Sequence, residues 1–208
     1  PMRDGNISDT TRIDRSLPTI NDLIDKGAMV IITSHFGRPK GQVVPEMSLR
    51  PVAAAVENAT GRTVVFGTDC IGEAAEKAIF EASSGDIVVL ENLRFHAGEE
   101  KNDAAFADQL AALADVYVND AFSCSHRAHA STEAIAKRLP TAAGRLMQSE
   151  LEALGKALEA PVHPVAALIG GAKISTKMDV LGHLIERVDQ LIIGGGMPNT
   201  FLYAQGVN

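Results

Sequence analysis

Short apolar runs recur along the chain with amphipathic stretches between them. This is the alternation that βα units produce when a parallel sheet is covered on both faces. The runs predict strands over 29–33, 63–66, 87–91, 116–119, 165–169 and 190–193. Leu17, Ile20, Leu23 and Ile24 have helical spacing ahead of Gly27, a suitable stop, and further helices are predicted over 49–58, 71–82, 103–112 and 174–187. The rhythm breaks once. From Gly144, "GRLMQSELEALGKALEAPVHP" reads as one long helix with Leu146, Leu151, Leu154 and Leu158 in a stripe, closed by Pro161 and Pro164. A joint between two α/β domains is expected there.

At 208 residues and 46% hydrophobic composition, the chain is long enough to bury a sizeable core in one large or two smaller domains. Its net charge of −7 disfavours nucleic acid and anionic membranes as partners, so any anion must be caught by a local basic cluster. Cys70 and Cys124 form no CxxC pair and fit a reducing, cytoplasmic setting as buried thiols. No apolar run approaches membrane length and no signal-peptide pattern is present. A chain that begins at Pro1 and stops at Asn208 without a closing signal reads as a piece of a longer protein.

The cations fall in register with the strands. His35 and Arg38 follow one strand, Arg94 follows "DIVVLEN", and Arg127 follows "VYVNDAFSC". Each arginine alone reads as a solvated loop residue or a salt-bridge partner. Three at the same end of successive units describe a site for a small polyanion, because guanidinium forks match carboxylate and phosphate, and because ligands bind at the carboxyl edge of open α/β sheets. Cys124, His126 and His129 have C-x-H-x-x-H spacing without a fourth ligand, and no metal site is expected in this chain.

Past the joint the chemistry changes. "LIGGAKISTK" ends a strand in Gly170 and Gly171 and opens a helix with Lys173 and Lys177 one turn apart. "LIIGGGMPNTF" is a second such junction. Glycines admit phosphate oxygens to the backbone and lysines add mobile charge, although neither run has the P-loop or dinucleotide fingerprint. Either run alone is as well explained by a tight strand-to-helix turn.

Taken in order, "PMRDGNISDTTRI", "SHFGRPKG", "LENLRFHAGEEKND", "YVNDAFSCSHRAHAST", "GGAKISTK" and "IIGGGMPNTF" strongly resemble phosphoglycerate kinase from Pro1 to the end. The resemblance implies two Rossmann-like three-layer αβα domains: a phosphoglycerate-binding domain over 1–143 lacking its first strand, an interdomain helix over 144–162, and the start of a nucleotide-binding domain over 163–208. It implies a kinase of glycolysis, gluconeogenesis or carbon fixation that moves the acyl phosphate of 1,3-bisphosphoglycerate onto Mg-ADP, giving 3-phosphoglycerate and ATP, and that is a monomer when complete. Carried over by motif, Arg12, His35, Phe36, Gly37, Arg38, Arg94 and Arg127 bind the glycerate substrate. Gly171, Lys173, Lys177, Gly194, Gly195 and Gly196 bind the nucleotide, and Arg12 and Lys177 act on the transferring group. Mg2+ arrives with the nucleotide. Closure is expected to hinge at 142–145. The segment that supplies an Asp and an Asn to the substrate, the adenine pocket and the metal-associated aspartate lie outside this sequence, and "SCS" before "HRAH" departs from many relatives. The alternative is that the piece by itself is a catalytically inactive phosphoanion-binding module. A dinucleotide dehydrogenase is disfavoured by the missing fingerprint and the arginine-rich edge.

Overall fold

The computed structural model describes residues 2–3, 6–159, 161–171 and 174–207. The chain divides into two units, one ending at Ser149 and the other starting at Glu150.

The first unit opens with a short antiparallel pair, β1 (Met2–Arg3) and β2 (Asn6–Ile7). It continues through α1 (Thr11–Asp25), β3 (Val30–Ile32), α2 (Arg50–Thr60), β4 (Val64–Gly67), α3 (Gly72–Glu81), β5 (Ile87–Leu90), α4 (Ala97–Glu100) and α5 (Ala104–Ala111). β6 (Tyr117–Asn119), β7 (Thr141–Ala143) and the first turn of α6 (Arg145–Leu158) complete it. The main sheet is parallel, in the order β3-β5-β4, with Val30 and Val64 both opposite Ile87. β6 and β7 form a separate parallel pair.

The central strand explains the layering. "IVVL" is β-branched or apolar throughout and every residue is buried. Alternation of side chains sends Ile87 and Val89 to one face, against Ile20, Ile24, Ala53 and Val56 of α1 and α2. Val88 and Leu90 go to the other, against Ala75, Ala78, Phe106 and Leu110 of α3 and α5. At about 1.5–3 kcal/mol for each fully buried aliphatic side chain, this strand is the unit's main anchor.

The second unit contains the rest of α6, β8 (Ala166–Gly171), α7 (Met178–Ile185), β9 (Gln190–Gly195) and α8 (Met197–Ala204). β8 and β9 pair in parallel from Ala166↔Gln190 to Gly171↔Gly195. Its core is small: Ile169, Leu181 and Met197 are buried, while Leu168 and Ile192 stay exposed.

Most expected elements appear within a few residues of their predicted bounds, and Gly27 follows α1 with its N–H donating to the Ile24 carbonyl at 2.8 Å. The predicted helix over 174–187 begins instead as a single 3-10 turn at Ile174–Thr176 and becomes α-helical only at Met178. β7 was not foreseen, whereas α8 opens at the second strand-to-helix junction. The segment 142–145, expected to be the hinge, is fastened within the first unit. Ala142 and Ala143 pair with Val118 and Asn119, and the Gly144 and Arg145 N–H groups donate to the Asn119 carbonyl (2.9 Å) and to Thr19 Oγ1 (2.8 Å). Thr19 Oγ1 in turn donates to Asp120 Oδ2 (2.6 Å), and Asp120 Oδ1 accepts from the Met147 N–H (2.9 Å). A backbone rotation there would break all of these bonds, so that hinge position is corrected.

Candidate functional site

The first cluster is assembled at the carboxyl ends of β3 and β5. Where β5 ends, the chain continues as Glu91 and Asn92, and both are buried. Buried polar groups must be satisfied, and these two are satisfied by the surrounding loops. Glu91 accepts from the Leu49 N–H (2.8 Å) and Ser48 Oγ (2.6 Å) at the start of α2. Asn92, fully enclosed, uses both ends of its amide. Its Oδ1 accepts from the Phe36 N–H (3.3 Å) and the Arg94 N–H (3.1 Å), and its Nδ2 donates to the carbonyls of Phe36 (2.7 Å) and Met47 (2.9 Å). The loop after β3, the turn before α2 and the turn after β5 are thus fixed to one side chain.

On that frame sit the predicted cations. His35, Phe36 and Gly37 are half-buried in the loop, and Gly37 adopts φ +69°, a conformation that favours glycine, with the Met47 sulfur occupying the place of a Cβ. Arg94 is not a free fork. It is 7% exposed, its Nη1 donates to the Gly37 carbonyl at 2.8 Å, and its Nε lies 3.4 Å from Glu100 Oε1 without hydrogen-bond alignment. Arg38 and Arg127 are exposed, as is Arg12 in the first turn of α1.

Charge shows which groups converge. Burial, followed by the positive charges of Arg94, Arg127 and His129, pushes the His35 imidazole down to about 4. His35 thus feels the charge of Arg94, Arg127 and the unforeseen His129, with Glu100 opposing them. His129 and Arg127 are held from below. Glu99, 1% exposed, accepts from the Ser131 N–H (3.0 Å) and Ser131 Oγ (2.5 Å) and has His129 Nδ1 at 3.6 Å, and Thr132 Oγ1 donates to the Arg127 carbonyl at 2.7 Å. Exposed guanidinium groups such as Arg38 and Arg127, beside an Arg94 and a His129 held by carboxylates, suit a small, highly charged anion.

The second cluster lies at the carboxyl ends of β8 and β9. Gly170 and Gly171 run beside Gly194 and Gly195. Gly195 has φ +73°, and a Cβ there would stand 3.2 Å from both the nitrogen and the oxygen of Gly171. Lys177, just ahead of α7, donates its ammonium to the Gly170 carbonyl, and Gly196 caps α8. Lys173, expected beside Lys177, lies outside the described residues. Among the described residues the result is a patch of bare backbone with the Lys177 ammonium laid across it, a surface on which phosphate oxygens can approach closely.

Glu91, Asn92 and Glu99 were missed as site residues. Their one visible signal was a run of polar residues directly after an all-apolar strand, where the chain is still deep in the core.

Comparison with known proteins identifies relatives of the whole chain. A family model described as phosphoglycerate kinase matches residues 1–208. The phosphoglycerate kinase of Rhodospirillum centenum is 61% identical over 206 residues, covering 99% of this chain and 52% of the relative. That of Sinorhizobium fredii is 59% identical over 208 residues, with 100% and 52% covered. Among solved structures, phosphoglycerate kinase from Coxiella burnetii matches with a TM-score of 0.85 at 41% identity, over 99% of this chain and 52% of that one. The Pyrococcus horikoshii enzyme gives 0.82 at 32%, over 100% and 53%. The chain spans about half the length of the curated relatives it matches.

Proposed function

The chain belongs to the phosphoglycerate kinase family, and from that premise we propose that the complete protein transfers the acyl phosphate of 1,3-bisphosphoglycerate to Mg-ADP, reversibly, giving 3-phosphoglycerate and ATP. The observation that carries the reading within this chain is the convergence of Arg94, Arg127 and His129 on His35. These residues, with Arg38, hold the phosphate that stays on the glycerate, so that the transferring group is oriented. Arg12 and Lys177 bear on the phosphoryl group itself, whose transfer depends on positioning and charge stabilisation.

The second unit takes the nucleotide phosphates on Gly171, Gly194, Gly195 and Gly196, with Lys173 and Lys177. Mg2+ enters with the nucleotide as part of the substrate. The domain roles follow the division at 1–143, 144–162 and 163–208. The proposal includes a monomer working in the cytoplasm, the setting that free cysteines suit; no described helix is long and apolar enough to cross a membrane.

Two measurements test this reading. The complete protein should transfer phosphate to ADP, and the 208-residue piece should not. Arg12→Ala in the complete protein should lower kcat by about 100-fold, near 2.7 kcal/mol, while changing the glycerate KM far less. A normal kcat with a raised KM would make Arg12 an ordinary binding residue.

A further inference from the structure

One group of chemically potent side chains plays no part in either cluster. Asp69 and Cys70 lie between β4 and α3, and His96 ends the turn after β5. His96 Nε2 and Asp69 Oδ1 are 2.6 Å apart, within hydrogen-bond distance. The His96 ring is stacked on Phe106, with centroids 5.2 Å apart and planes at 27°, which fixes the direction in which its nitrogens point. The Cys70 thiol is fully buried beside this pair, and its sulfur, the imidazole nitrogen and a carboxylate oxygen of Asp69 all lie within 4.8 Å of one another.

We propose that Asp69, Cys70 and His96 form a binding site for one borderline-soft divalent cation of the zinc type.

The donor set selects the metal class. A thiolate and an imidazole suit Zn2+ or Co2+ and do not suit Mg2+ or Ca2+, which take oxygen ligands. Tetrahedral coordination with metal–ligand bonds of about 2.0–2.3 Å places ligand atoms roughly 3.3–3.8 Å apart, so the trio needs adjustments of about an ångström. The cation inserts between His96 Nε2 and Asp69 Oδ1, with the imidazole in its Nδ1–H tautomer and any second ring proton released to solvent. Access comes from the outer side, where the Asp69 and His96 side chains are 42% and 30% exposed, leaving a fourth position for water. The site faces negative charge. Burial and then the Asp69 carboxylate push the Cys70 thiol up, and the buried Glu99 adds to the push. A bound cation offsets both carboxylates, and the thiol proton leaves to solvent as the sulfur–metal bond forms. Occupancy would pin the start of α3 to the turn that carries Arg94, bracing the first unit from behind the anion cluster.

The test is a Co2+ titration of the complete protein in a non-thiol reductant, read by absorption. One equivalent should produce a thiolate-to-cobalt charge-transfer band and the visible bands of a tetrahedral site, and one equivalent of Zn2+ should remove both. Cys70→Ser should abolish the charge-transfer band, whereas Cys124→Ser should leave it intact. Because Cys70 is in the core, its variant is first checked for native circular dichroism. Should that variant not fold, Asp69→Asn and His96→Gln decide, each weakening Co2+ binding by roughly tenfold or more. Absence of a charge-transfer band in the unaltered protein, its survival in folded Cys70→Ser, or unchanged affinity in both surface variants would overturn the site and leave Asp69 and His96 as a simple ion pair.

Discussion

At the carboxyl end of β5, loops are held in place by buried side chains, whereas at the ends of β8 and β9 the backbone is shaped by the absence of side chains. In the first unit, Glu91, Asn92 and Glu99 are almost wholly enclosed and each is hydrogen-bonded to segments far away in sequence. In the second, four glycines lie side by side and one lysine crosses them. The two solutions suit different tasks. Fixing the direction of guanidinium and imidazole groups requires a stiff frame, and a satisfied buried polar network supplies it. Accepting the phosphates of a nucleotide requires close approach to backbone N–H groups, and a Cβ at Gly195 would crowd the Gly171 backbone. The core behind each follows suit: β5 is buried along its whole length, while Leu168 and Ile192 of β8 and β9 are 77% and 51% exposed.

The largest effect should come from removing the centre of the first frame. Asn92→Ala leaves the carbonyls of Phe36 and Met47 and the Phe36 N–H without their partner in a buried place. At about 1–3 kcal/mol for each unsatisfied group, with some relaxation, the loss of stability should be about 4 kcal/mol. Urea unfolding of the complete protein measures it. A loss below about 1 kcal/mol would mean that the frame is not what holds the loops.

Next, two arginines of one motif-derived set should behave differently. Arg38 is exposed, so Arg38→Ala should weaken 3-phosphoglycerate binding by about 1.5–3 kcal/mol and leave stability alone. Arg94 is buried and donates to the Gly37 carbonyl, so Arg94→Ala should weaken binding by a similar amount and also cost about 2 kcal/mol of stability. Calorimetry and unfolding on both variants separate the two roles, and identical profiles would erase the distinction between a clamp and a strut.

In the second unit the corresponding change is smaller. Gly195→Ala forces φ +73° on an alanine and sets a methyl 3.2 Å from the Gly171 backbone, a cost of about 1–3 kcal/mol. Nucleotide affinity should fall along with stability, while glycerate affinity stays the same. Loss of glycerate affinity instead would tie the glycines to the wrong substrate.

How much of this was written in the sequence depends on how local the cause is. The strands and most helices were legible because an apolar run such as "DIVVLEN" and the spacing of Leu17, Ile20 and Ile24 are local patterns. β7, "TAA", was not, since its three residues are exposed and have no strand signature apart from their pairing with β6. The cations were legible by position but not by burial: "NLRF" looks like a loop, yet Arg94 is inside it. Glu91, Asn92 and Glu99 were missed for the same reason. A carboxylate in a polar stretch reads as solvated until partners 32 and 42 residues away, Ser131 and Leu49, are brought to it. The segment 142–145 failed as a hinge because a glycine ahead of a helix suggests freedom, while a Cβ at Gly144 would overlap Asp120, which accepts the Met147 N–H.

The smallest effect, and the most direct reading of the first cluster's charge, concerns His35. Its imidazole is pushed down to about 4, first by burial and then by Arg94, Arg127 and His129. In the unfolded chain a histidine protonates near 6.5. As pH falls from about 6.5 to about 4, the unfolded chain therefore takes up a proton that the folded chain refuses, and stability declines across that window; above it His35 is neutral in both states and the contribution is constant. A phosphate bound among these cations counters their charge, so its presence should raise the His35 value above about 4, and by linkage 3-phosphoglycerate should bind with uptake of a fraction of a proton in the range between the free and the bound values. Imidazole chemical shifts of the complete protein, followed from pH 7 downward with and without 3-phosphoglycerate, measure both statements. If His35 titrates near its ordinary value in the free protein, neither burial nor its cationic neighbours hold it down; if it titrates low but does not respond to the ligand, burial accounts for the low value and the anion does not bind beside His35.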